Sequence, residues 1–145
     1  MEALGMMGSD TTLKPRYRLL VAEDDKALRD MMVALLRADR YEVVAVGNGI
    51  DLLHTLKVSL DTKPETQPFD LVISDVRMPG RSGPRAFAEI GYGPRVPPVL
   101  FITAFGDEEL REEALRVGAL GVLDKPVDFD ELRDFIRGYL VTKRN

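Results

Sequence analysis

Short, wholly apolar runs alternate along this chain with longer stretches whose apolar residues recur every three or four positions. The runs read as buried strands and the periodic stretches as helices. "YRLLVAEDD" opens with the first strand, Leu19 to Ala22, and Leu28, Met31, Met32, Leu35 and Leu36 then trace a helical face. "YEVVAVGNG" is a second strand closed by a turn signal, with Ile50, Leu53 and Leu60 suggesting the helix after it. "LVISD" is the third strand, and the Pro79-Gly80 turn leads to a short helix that Ser82 caps, with Pro84 in its first turn. "PPVLFITAF" is the fourth strand, its prolines kept to the start. "GDEELREEALRVG" is a helix with acids in its first turn and Gly118 past its end. "LGVLDKP" is the fifth strand. "DFDELRDFIRGYL" is the last helix: Asp128 and Glu131 form a capping box, and Phe129, Leu132, Phe135, Ile136 and Tyr139 form its apolar face.

Five strands alternating with five helices predict an α/β fold, a doubly wound parallel sheet covered on both faces. Right-handed crossovers place every strand-to-helix loop on one edge of that sheet, where ligands of such folds bind. Residues 1–16 read as a flexible tail, 17–141 as one domain and 142–145, within the basic "VTKRN", as a fraying end too short to bind DNA. "DTKPETQPFD" reads as a long surface loop.

Composition narrows the function without naming it. The 145 residues suit one domain with a real core, and 45% hydrophobic with 30% charged residues is a soluble balance. A net charge of -4 gives no general pull toward nucleic acid or anionic membrane. The absence of cysteine excludes disulfides, thiol catalysis and Cys-based zinc sites, and fits a cytoplasmic location. No apolar run approaches the ~20 residues that span a bilayer, and the N-terminus lacks the pattern of a signal peptide.

The chemistry lies at the strand ends. Glu23, Asp24 and Asp25 follow the first strand, Asp75 ends the third, Thr103 the fourth, and Lys125 follows the fifth. Asp25 and Asp124 read as acids meeting water. Two carboxylates ~4 Å apart repel by about 4 kcal/mol at an effective dielectric of 20, so Glu23, Asp24 and Asp75 need a cation. Oxygen ligands without His or Cys suit a hard ion, Mg²⁺ or Mn²⁺. An aspartate beside such an ion and a lysine is set up to attack a phosphoryl group, with Thr103 as hydroxyl donor and small Ala104 leaving room.

"VAEDD", "ISDVRMPG", "FITAF" and "LDKP", in this order and context, resemble the receiver domain of bacterial two-component response regulators, with "DVRMPG" closest to the nitrogen-regulator group. The resemblance implies a flavodoxin-like (βα)5 sandwich with strand order 2-1-3-4-5. It implies Asp75 as phosphoacceptor from a sensor histidine kinase or phosphotransfer protein. Asp24 would bind Mg²⁺ directly, Glu23 through water, and the backbone carbonyl of Arg77 would be a further ligand beside Asp75. Thr103 would be the switch hydroxyl, and Lys125, before a cis bond to Pro126, would pair with Asp75. Output would leave through the face of helix four, strand five and helix five, to a downstream protein or a homodimer.

Two features depart from that pattern. Val122 stands where the family carries an aromatic switch residue, and the loop at residues 61–70 is long. Bulky Arg77 and Phe105 flank the acceptor and lead us to expect a shielded, slowly hydrolysed acyl phosphate. A haloacid-dehalogenase-type phosphohydrolase needs a second aspartate where Arg77 stands, and Arg holds its proton at working pH. A nucleotide or flavin binder needs a glycine-rich phosphate loop in place of three acids. A degenerate receiver acting only as an interaction module is the remaining alternative. His54 is expected to face solvent on the second helix.

Overall fold

Each predicted strand is followed by its predicted helix in a computed structural model that describes residues 16–61, 63, 67–104 and 106–144. The elements are β1 (Arg18–Ala22), α1 (Lys26–Ala38), β2 (Glu42–Val46), α2 (Gly49–Ser59), β3 (Leu71–Asp75), α3 (Gly83–Ile90), β4 (Val99–Thr103), α4 (Glu108–Arg116), β5 (Gly121–Asp124) and α5 (Phe129–Arg144). The sheet is parallel throughout, in the order β2-β1-β3-β4-β5. That is the doubly wound, flavodoxin-like arrangement expected. Of the expected N-terminal tail, all but Arg16 lies outside the described residues, as do Thr62 and residues 64–66 of the long loop.

Alternation along the strands builds two cores. Leu19, Val21, Leu71, Ile73, Leu100 and Ile102 point to one layer and meet Met32 and Leu36 of α1 and Leu132, Ile136 and Leu140 of α5. Leu20, Ala22, Val72 and Phe101 point to the other and meet Leu52 and Leu56 of α2, Phe87 of α3 and Ala114 of α4. Each such large apolar side chain contributes about 1.5–3 kcal/mol by leaving water. The central strands β3 and β4 are buried along their whole length, which is why they read as unbroken apolar runs.

Four of the five helices are capped alike. Asp25 accepts from the Leu28 N–H (3.1 Å), Asn48 from Asp51 (2.8 Å), Ser82 from Arg85 (3.1 Å) and Asp128 from Glu131 (3.1 Å). Asp25, read from sequence as an acid meeting water, is therefore also a helix cap. Asp124 is exposed and pairs with Arg111.

Three local expectations change. The buried face of α2 is Leu52, Leu53, Leu56 and Ser59, whereas Ile50 is half exposed and Leu60 lies past the helix end. Met31 of α1 is also half exposed. The last helix continues past residue 141 to Arg144, and Lys143 donates to the Asp70 carbonyl at 3.1 Å.

Candidate functional site

Strand register brings the acids together. Ala22 of β1 lies opposite Ser74 of β3, so Glu23 and Asp75, one residue on, leave the sheet side by side. Thr103 of β4 pairs with Asp124 of β5, and the Lys125 N–H then donates to the Thr103 carbonyl at 2.8 Å. Lys125 thereby starts its side chain from the same edge. The Lys125–Pro126 peptide bond is cis.

Close packing fixes the end of β3 from beneath. A Cβ added to Gly83, at the start of α3, would stand 2.5 Å from the Asp75 carbonyl oxygen and 2.7 Å from Ser74 Oγ. Glycine is required there for α3 to sit against the end of β3. Ser74 Oγ is itself used locally, donating to the Asp75 carbonyl at 2.8 Å.

The centre is an ion cluster. Lys125 Nζ donates to Asp75 Oδ2 at 2.8 Å and lies 3.2 Å from Glu23 Oε1. Glu23 is fully buried and Asp75 is 4% exposed, while Asp24 is open to solvent. One carboxylate oxygen from each of Glu23, Asp24 and Asp75 lies within 4.8 Å of the others. Glu23 Oε2 accepts from the Asp25 N–H at 3.0 Å. Its Oε1 is buried without a hydrogen bond, because the nearby Lys125 ammonium makes an ionic contact without bonding geometry.

Electrostatics explain which groups are under tension. Burial pushes the Glu23 carboxyl up to about 7; the Asp25 N–H opposes this, and Asp75 adds to the rise. Burial works against the Lys125 charge, yet the bond to Asp75 and the charges of Asp75 and Glu23 outweigh it and raise its pKa. One lysine among three carboxylates leaves net negative charge, and a buried oxygen without a hydrogen bond is costly. An oxygen-seeking divalent cation fits this donor set on both counts.

Above the cluster opens a cavity of about 580 Å³ lined by Asp24, Asp75, Arg77, Ala104, Asp107 and Lys125, among others. The Arg77 guanidinium bonds Asp107 Oδ1 at 2.8 Å across its rim. Asp107 does not stand out in the sequence, where it reads only as one of several acids opening α4. Its place four residues past Thr103, at the same sheet edge as Asp75, is the available signal. Thr103 is buried, and its hydroxyl donates to its neighbour's carbonyl, Ala104 O, at 3.3 Å. Val122 is half buried in the core beneath α2, α3 and α4. Phe105 lies outside the described residues, and His54 is exposed on α2.

A parallel α/β sheet with an acid triad, a lysine and an open cavity at its carboxyl edge defines a class of phosphoryl-handling signalling domains. The response regulator receiver domain model matches residues 19–137, and the chain belongs to that family. It is 35% identical over 133 residues to the transcriptional regulatory protein ZraR of Salmonella typhimurium, covering 91% of this chain but 28% of that protein. It is 27% identical over 128 residues to sporulation initiation phosphotransferase F of Bacillus subtilis, covering 88% of this chain and 97% of that protein. Among solved structures, a response regulator receiver domain protein from Clostridium thermocellum superposes with a TM-score of 0.73 at 26% identity, covering 88% of this chain and 97% of that one. The chain thus spans little more than a quarter of the ZraR relative. As a receiver domain it is a signalling module whose family works with a histidine kinase or phosphotransfer partner. No helix among the described residues is long and apolar enough to cross a membrane.

Proposed function

We propose that Asp75 accepts a phosphoryl group from the phosphohistidine of a sensor kinase or phosphotransfer protein, in a Mg²⁺-dependent reaction. The observation that carries this reading is the 2.8 Å contact of Lys125 Nζ with Asp75 Oδ2 inside a cluster of three carboxylates at the mouth of a cavity. An Asp75 carboxylate oxygen attacks phosphorus as the histidine N–P bond breaks, and the imidazole leaves with the electron pair. Lys125 holds the attacking carboxylate in place and then stands beside the new negative charge. Thr103 would turn its hydroxyl from the Ala104 carbonyl toward a phosphoryl oxygen. Glu23, Asp24, Asp75 and the Arg77 carbonyl would hold Mg²⁺, which when bound supplies positive charge for the equatorial oxygens.

The acyl phosphate adds charge at the carboxyl edge of the sheet and biases a two-state equilibrium. The outer surface of α4, β5 and α5 is the output face of this reading, toward a downstream protein or a second copy. With Val122 in place of a ring, the change travels through the backbone of the β4–α4 loop. The protein acts in the cytoplasm, in keeping with its cysteine-free composition. Incubation with acetyl phosphate and Mg²⁺ tests the acceptor: the wild type takes up phosphate and Asp75→Asn does not. Uptake by Asp75→Asn would remove the assignment.

A further inference from the structure

α4 is the exception among the helix starts. Four helices bond a side chain at the N-cap to the N–H three residues on. α4 carries a strong capping residue, Asp107, yet makes no such bond. Its backbone explains how: ψ is 51° at Asp107, against 111°, 168° and 157° at Asp25, Asn48 and Ser82. The carboxylate is turned away from its helix and bonds the Arg77 guanidinium at 2.8 Å. Gly106, just before it, has φ of 94° and open space where a Cβ would stand, so the chain can pivot there.

We propose that Asp107 is a two-position latch, bonded either to Arg77 or to the first-turn N–H groups of α4, and that phosphoryl charge on Asp75 decides between them. The coupling rests on the acceptor role proposed for Asp75; the exchange between the two bonds does not. Arg77 lines the same cavity as Asp75, and its side chain is 72% exposed and free to swing. The Arg77 side of the ion pair is open to solvent while the Asp107 side chain is only 14% exposed, and solvent on the guanidinium weakens the pair toward the strength of an aspartate cap. A dianionic phosphoryl group competes with the single charge of Asp107 for the guanidinium. Once released, Asp107 caps Glu109 and Leu110, and the first turn of α4 is firmer in the phosphorylated state. The route needs no aromatic ring at Val122.

Amide hydrogen exchange of the whole chain, read at the Glu109 and Leu110 N–H groups, tests this. Arg77→Ala frees Asp107 without phosphorylation and raises protection there by about threefold to fivefold, the size of an aspartate cap. Asp107→Asn, which keeps the cap and loses the ion pair, raises it likewise. The double variant Arg77→Ala/Asp107→Ala loses the gain. With Mg²⁺ and beryllofluoride the wild type shows the same rise, and Arg77→Ala shows none beyond its own. Unchanged protection in both Arg77→Ala and Asp107→Asn overturns the latch. Mimic bound, as seen by chemical-shift changes around Asp75, without a rise in the wild type overturns the coupling. No shift change at Asp75 overturns the acceptor reading and the coupling with it, while the Arg77→Ala result still decides the latch.

Discussion

Lys125 Nζ lies 2.8 Å from Asp75 Oδ2, although 50 residues and two strands of the chain separate them. With Glu23 Oε1 at 3.2 Å, the same ammonium opposes two buried carboxylates. The contact therefore has a structural role before any chemistry occurs.

Removing that ammonium leaves both acids uncompensated. Lys125→Met lowers unfolding stability by about 1–3 kcal/mol in the absence of divalent ions. Urea denaturation at pH 7 measures it. Added Mg²⁺ narrows the gap between variant and wild type, because the cation supplies the missing positive charge. A gap that Mg²⁺ leaves untouched argues against metal binding at these acids.

Gly83→Ala pushes a methyl group against the Asp75 carbonyl and Ser74 Oγ. The cost is about 1–3 kcal/mol of stability, typical of overpacking. Since α3 is then levered from the end of β3, phosphoryl uptake slows as well. Normal stability and uptake in this variant contradict the close approach.

Arg133 grips Asp39 with two bonds, 2.8 and 2.7 Å, joining the end of α1 to α5. The hydrogen bond from Arg133 holds the Asp39 carboxyl below its usual range. A carboxyl depressed on folding stabilises above its unfolded pKa of about 3.9 and loses that contribution as pH falls through the lower folded value. Asp39→Asn is accordingly less stable than wild type at pH 7, and the two converge as pH falls below the ordinary carboxyl range. Thermal melts across that range check it; a difference constant with pH rules the pair out as its source.

Arg77 stands over the cavity that an acyl phosphate would occupy. Arg77→Ala opens this side to water and shortens the lifetime of the phosphorylated state by a few-fold. Decay of radiolabelled protein after donor removal measures it. An unchanged lifetime removes Arg77 as a shield.

Much of this was legible in the sequence. Asp75 and Lys125 stood out because buried parallel strands are read as apolar runs, and a charge where such a run stops lies at the sheet edge. Ser59 is not legible as a buried position of α2: its hydroxyl bonds the Leu56 carbonyl at 2.7 Å, so a polar residue sits where the helical pattern calls for an apolar one. Ile50 misled in the opposite sense, as an apolar residue half exposed in the first turn. The extent of α5 depends on Lys143 reaching Asp70, a contact between residues 73 apart that local pattern does not reveal. Asp107 was hidden for a similar reason, since its partner Arg77 is 30 residues away.

Where the phosphoryl group resides is the most direct question to put to the molecule. Borohydride reduces an aspartyl phosphate to homoserine, so treating the protein after a kinase or acetyl phosphate reaction marks the acceptor. Peptide mass mapping is expected to find homoserine at position 75 and at no other acid. Homoserine at Asp24 or Asp25, or phosphate held on His54, would contradict the account.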